Sequence, residues 1–134
     1  MAGYSGKPLV VKLGLKPSHR VVLAGAPAGF AGELEPLPPG VRIPAEGRAP
    51  LDCVLLFAPD AAALKTGFRR WAARLAPAGM LWVAWPKKAA RVQTDLDENV
   101  VREIGIAAGL VDVKVCAVNE VWSGLKFVRR LRDR

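Results

Sequence analysis

The sequence predicts an α/β fold: a single three-layer domain with a mostly parallel sheet and a C-terminal antiparallel hairpin. Three observations carry this expectation. The runs 52–57 (DCVLLF) and 81–85 (LWVAW) are apolar without interruption, as strands covered by helices on both faces are. Between them Leu64, Phe68, Trp71 and Leu75 recur at helical spacing and form one apolar stripe. Near the carboxyl end, 110–118 alternates apolar and polar residues and is followed by a second strand-like run at 125–129, the pattern of a hairpin with one wet face.

Taken in order, residues 1–7 are polar and glycine-rich and are expected to be flexible, with the domain running over 8–130 and a basic tail over 131–134. Pro8 to Leu15 suits a short amphipathic helix bounded by Gly14 and Pro17. Arg20 to Ala24 is the first strand. It runs into Gly25-Ala26-Pro27-Ala28-Gly29-Phe30, a small-residue turn of the kind whose backbone N–H groups can cradle a phosphate or carboxylate, although Pro27 removes one donor. The stretch 36–50 is dominated by proline and glycine, with Val41 to Ile43 as its one strand candidate.

Asp60 stands as an N-cap for the helix that Pro77-Ala78-Gly79 is expected to end. On that helix Lys65, Arg69, Arg70 and Arg74 fall away from the apolar stripe, as a solvated face or a basic stripe for nucleic acid. The strand Met80 to Trp85 stops at Pro86, which cannot donate to a ladder. Lys87 and Lys88 therefore lie just beyond its carboxyl end, the edge at which open α/β sheets bind ligands. Thr94 is the expected N-cap of the next helix, with Leu96, Val100, Ile104, Ala107 and Ala108 inward and Asp95, Glu98, Asn99 and Arg102 on a polar face. Residues 119–124 read as the hairpin turn.

Composition bounds the function. The chain has 134 residues, 51% hydrophobic and 24% charged, with a formal charge of +8. These values fit a packed globular protein, and the charge favours an anionic partner. No apolar run approaches the roughly 20 residues that span a bilayer, and no signal-peptide core stands at the start. The expected location is the cytoplasm, with no membrane partner. Cys53 and Cys116 sit in apolar runs where thiols behave as small hydrophobes, and His19 is the one histidine. The sequence therefore offers no metal site and no nucleophile–base pair.

The order of elements, with the phrase Leu75-Ala76-Pro77-Ala78-Gly79 before the strand Met80 to Trp85, resembles class I S-adenosylmethionine methyltransferases. The resemblance implies a shortened Rossmann-like methyltransferase fold and makes S-adenosylmethionine the cofactor to consider. Three departures stand beside it. Gly25, Pro27 and Gly29 occupy a loop the family fills with Gly-x-Gly-x-Gly, the acidic residue after the second strand has no counterpart, and 24–52 is too short for two further strand–helix units. The phrases LWVAWPKK (81–88), TDL (94–96), ENVVRE (98–103), GLVDVKVCA (109–117) and WSGL (122–125) also resemble a family of small bacterial proteins without an established activity.

Three function classes follow. One is a non-catalytic binding or regulatory domain with an anionic-ligand site at the carboxyl edge of the sheet. Its walls would be Gly25, Pro27, Gly29, Phe30 and Pro86, its polar contacts Lys87, Lys88, Thr94 and Asn99, and its stacking surface Trp85 or Trp122. The second is an active S-adenosylmethionine-dependent methyltransferase. The third is a nucleic-acid-binding protein using the basic helix face and the arginine tail.

Overall fold

The computed structural model describes residues 7–45 and 50–134; the expected flexibility of 1–6 lies outside the described residues. Those residues form a five-stranded sheet in the order β1-β2-β3-β5-β4. Its strands are β1 (Val21–Ala24), β2 (Leu51–Phe57), β3 (Leu75–Pro86), β4 (Leu110–Ala117) and β5 (Trp122–Arg129). Strands β1, β2 and β3 run parallel, while β5 is antiparallel to both β3 and β4. The helices are α1 (Leu9–Leu13), α2 (Ala61–Ala72) and α3 (Glu98–Ala107), with short 3-10 turns at Phe30–Leu34, Lys88–Ala90 and Leu131–Asp133.

The alternation of β3 builds the three layers. Leu81, Val83 and Trp85 face Leu64 and Phe68 of α2 and Val101 of α3. Met80, Trp82 and Ala84 face the other way, onto Val10 and Leu13 of α1 and onto Phe30 and Leu34. A strand with both faces covered must be apolar throughout, which is why 81–85 reads as it does.

Four boundaries differ from expectation. Helix α2 ends at Ala72, and Leu75 already pairs with Leu51 as the start of β3. Ala76 to Gly79 are a bulge within that strand, where the Leu51 carbonyl would lie 2.7 Å from a Cβ on Gly79. The strand candidate at 41–43 contributes a single bridge, Arg20 to Arg42. Trp122 to Gly124 belong to β5, because they pair with Pro86, Trp85 and Ala84.

The start of α3 is the fourth. Asp97, not Thr94, is the N-cap, its carboxylate accepting from Val100 N at 2.8 Å. The inward positions move with it to Val101 and Gly105, with Val100 and Ile104 flanking, while Ala107 and Ala108 are exposed.

Arg102 ties α3 to the edge strand β4. It pairs with Glu98 at 2.6 Å one turn back and with Asp112 at 2.8 Å, and donates to Asn99 Oδ1 at 3.1 Å. The hydrogen bond from Arg102 holds the Asp112 carboxyl below its usual range. A depressed folded-state value contributes stability that is present above the unfolded value of about 3.9 and is lost as pH falls through the folded one. Arg102→Ala is therefore expected to lower the urea midpoint at pH 7 and to leave the variant less sensitive than wild type to a shift from pH 5 to pH 2.5. Parallel titrations of both proteins check this, and equal acid sensitivity would contradict it.

Among the described residues no helix is long and apolar enough to cross a membrane.

Candidate functional site at the carboxyl edge

Strands β1, β2 and β3 end side by side, in register from Ala24 through Leu56 to Val83. The β4–β5 turn reaches the same edge, since Lys87 N donates to Val121 O at 2.8 Å and Asn119 Oδ1 holds that turn by accepting from Val121 N and Trp122 N. The loops after three parallel strands and one hairpin turn thus converge where open α/β sheets carry their ligand sites.

The loop after β1 is shaped by glycine. Gly25 (φ +70°) and Gly29 (φ +80°) hold left-handed conformations, which side chains disfavour by roughly 1–2 kcal/mol. A Cβ on Gly25 would also lie 3.0 Å from the Phe57 carbonyl. Gly25, Pro27 and Gly29 are exposed, but Phe30 is 1% exposed and belongs to the core. Its ring meets Phe57 edge-on at 4.8 Å, and Phe57 meets Trp122 edge-on at 5.0 Å. These three rings fill the space over the end of β2 on the α1 side, and Asn119 Nδ2 donating to Glu33 Oε1 at 3.1 Å closes over them.

On the α2 and α3 side the loops are held by hydrogen bonds. Asp60 caps α2, accepting from Ala63 N at 2.8 Å, and Asp95 Oδ1 accepts from Ala61 N at 2.8 Å. Thr94 Oγ1 donates to Pro59 O at 2.7 Å and accepts from Leu96 N at 3.1 Å. The first turn of α2, which attracts anions through its unpaired N–H groups and the helix dipole, is thereby supplied with two carboxylates from the chain itself.

Beside this knot lies an open cavity of about 400 Å³ between the end of β3 and the start of α3. Pro86, Lys87, Lys88, Gln93, Thr94, Asp95 and Asp97 line it. Among the described residues neither lysine ammonium makes a hydrogen bond or an ion pair, whereas Asp95 and Asp97 each commit one oxygen to a helix N–H. The cavity can therefore offer two free cations and two half-used carboxylates to whatever enters.

The expected constellation is thus divided. Pro86, Lys87, Lys88 and Thr94 share the cavity, while Gly25, Pro27 and Gly29 lie on the same edge with β2 between. Trp85 is 5% exposed and packs in the core under α2 and α3. Asn99 accepts from Arg102 and does not line the cavity, and Trp122 meets Phe57 edge-on at the opposite face. Sequence reasoning did not place Gln93, Asp95 and Asp97 there. The signal available for Asp97 was its position three residues before Val100, which competes with Thr94 for the cap.

The remaining reactive groups stand elsewhere. Cys53 is buried, and desolvation pushes its thiol up to about 12. Burial also raises Cys116, with Lys12 and Lys114 opposing. His19 accepts from Lys16 N ahead of β1, at the far edge of the sheet. No cluster of His, Cys, Asp and Glu suited to a metal ion occurs among the described residues.

No family model and no curated protein matches this sequence. Solved structures do. A protein from Bordetella parapertussis, described as a possible exported protein, superposes with a TM-score of 0.65 at 15% identity over 90% of this chain, which spans 65% of that protein's length. The fibrillarin of Aeropyrum pernix with natively bound S-adenosylmethionine gives a TM-score of 0.62 at 14% identity, covering 94% of this chain and 70% of that one. The 1,6-didemethyltoxoflavin-N1-methyltransferase of Burkholderia thailandensis gives 0.59 at 18%, covering 96% and 79%. The chain has a methyltransferase-like, Rossmann-like fold.

Proposed function

We propose that this chain is a binding or regulatory domain on a shortened methyltransferase-like sheet, taking an anionic small molecule at the carboxyl edge without catalysing a reaction. The observation that supports it is the pair of ammonium groups, Lys87 and Lys88, on the rim of a cavity with no partner of their own among the described residues. Because Asp60 and Asp95 already occupy the first turn of α2, an incoming anion meets the lysines first. The free oxygens of Asp95 and Asp97 favour a ligand that also carries a hydrogen-bond donor or a positive group.

A non-catalytic role is supported by the reactive groups of the described residues: one buried and one half-buried thiol, a histidine at the far edge, and carboxylates that each give one oxygen to a helix N–H. The second reading, an active S-adenosylmethionine-dependent methyltransferase, is favoured by the likeness to structures that hold that cofactor or its demethylated product.

Thermal melting with phosphate, nucleotides, S-adenosylmethionine and S-adenosylhomocysteine separates the two. A ligand at 100 times its Kd adds about 2.7 kcal/mol, a plain rise in Tm. The binding-domain reading expects a rise with at least one anionic ligand, at least tenfold weaker affinity in Lys87→Ala/Lys88→Ala, and no transfer of a labelled methyl group. A rise with S-adenosylmethionine that survives this double substitution supports the methyltransferase reading instead. No rise with any ligand overturns both.

A further inference from the structure

The positive charge of the chain is concentrated in one place that the carboxyl-edge site does not use. Between Asp60 and Asp95 there is no acidic residue, while Lys65, Arg69, Arg70 and Arg74 follow one another along and just past α2. Lys65, Arg69 and Arg70 are exposed. From Lys65 to Arg70 the helical rise spans roughly 7.5 Å.

The C-terminal arginines are brought to the same surface by specific bonds. Arg129, at the end of β5, donates from Nη2 to the carbonyls of Ala72 and Leu75, both at 2.9 Å, which fixes it to the end of α2. The tail then turns back on itself, with Arg134 Nε donating to Arg129 O at 3.0 Å. Arg129 and Asp133 line a shallow groove with Arg69 at the end of α2, which sets the arginine tail against that end of the helix. The one acid in the tail, Asp133, reaches Arg132 at 4.0 Å with both side chains largely exposed, a pairing too weak to neutralise the patch.

Trp71 lies within this array. Its indole is half-buried against the core, and the guanidinium groups of Arg70 and Arg74 lie 4.9 Å and 5.4 Å from the ring centroid. Glu103 of α3 shares a groove with Lys65 and Arg69 and, with Asp133, offsets part of the charge, but cations remain in excess, and planar guanidinium groups on an aromatic ring beside them match a partner with both phosphates and flat bases. A membrane surface would call for several protruding apolar side chains; among the described residues of α2 and the tail, Leu131 is the one large apolar side chain that stands out.

We infer that the outer face of α2 and the arginine tail form a binding surface for single-stranded nucleic acid, with Arg69, Arg70, Arg130, Arg132 and Arg134 on phosphates and the Trp71–arginine stack against a base. The surface lies toward the amino edge of the parallel strands, where α2 ends and β3 begins, away from Lys87 and Lys88.

The test is fluorescence anisotropy with a labelled 20-nucleotide single-stranded RNA between 50 and 300 mM salt. Three to five phosphate contacts predict a slope of log K against log salt of about −2 to −3.5, at about 0.7 per phosphate. Arg69→Glu/Arg70→Glu is expected to weaken binding at least tenfold and make the slope shallower by about 1.4, two phosphates lost. Arg132→Glu/Arg134→Glu, in the tail beyond the last strand, should do the same and does not touch the core. Trp71→Leu should weaken binding about fivefold or more while leaving the slope unchanged, which a purely electrostatic surface would not do. Absence of binding at 50 mM salt, a slope near zero, or wild-type binding by both charge-reversal variants overturns the inference. Displacement of the RNA by vesicles containing phosphatidylserine but not by unlabelled RNA would assign the surface to membranes and also overturn it.

Discussion

Gly105→Ala is expected to destabilise the fold by about 3 kcal/mol, at the upper end of the usual cost of overpacking a core. Gly105 lies on the inward side of α3, and a Cβ there would run into the ring of Phe127. That ring has no free direction. It is fully buried and meets Phe68 of α2 edge-on at 5.1 Å, so yielding to the new methyl group disturbs the contact between β5 and α2 as well. For a domain of this size the loss corresponds to a fall in Tm of about 12 °C, taking about 4 °C per kcal/mol. The better helix propensity of alanine, worth about 1 kcal/mol, acts against the clash without cancelling it. Phe127→Leu in the Gly105→Ala background should recover part of the loss. A single variant that melts like wild type would mean that α3 stands farther from the sheet than described.

Trp82→Ala should cost as much or more, about 3–5 kcal/mol. Trp82 is the central side chain of the face covered by α1, with no exposed surface, and its Nε1 donates to the Leu13 carbonyl at 3.0 Å. Truncation opens a large void and strands that carbonyl. Trp82→Phe isolates the second effect: it keeps most of the volume but removes the donor, and leaving a buried acceptor unpaired costs about 1–3 kcal/mol. Chemical denaturation of wild type and both variants is the check, with Trp82→Phe expected to fall between the other two. A Trp82→Phe variant as stable as wild type would show that the hydrogen bond adds nothing to anchoring α1.

Trp82 also illustrates what was legible in the sequence. Its strand was readable because both of its faces are covered, so that uninterrupted apolar character and burial coincide over 81–85, and the same holds for β2. The boundaries that were not readable depend on partners distant in sequence. Thr94 and Asp97 are both good cap residues; the choice between them is made by Pro59, whose carbonyl takes the Thr94 hydroxyl across 35 residues and leaves Asp97 to start the helix. Trp122-Ser123-Gly124 has the composition of a turn, yet it is strand because β3 offers it a ladder.

The site divides along the same line. Lys87 and Lys88 were legible from Pro86, which ends the strand before them. Asp95 and Asp97 were not, because their place in the cavity follows from how α3 is docked against the end of α2. Phe30 pointed to a wall of the site and Trp85 to ligand stacking by residue type alone, and their burial is a property of the packed sheet.

A ligand site built on Lys87 and Lys88 can be seen residue by residue in an amide ¹H–¹⁵N NMR titration of the intact chain with whichever of phosphate, the nucleotides, S-adenosylmethionine and S-adenosylhomocysteine raises Tm most. Saturable shifts are expected to begin at Lys87, Lys88 and Gln93 to Asp97, to spread weakly to the first turn of α2, and to disappear in Lys87→Ala/Lys88→Ala. Shifts confined to Gly25–Phe30, and unchanged by that double substitution, would contradict it.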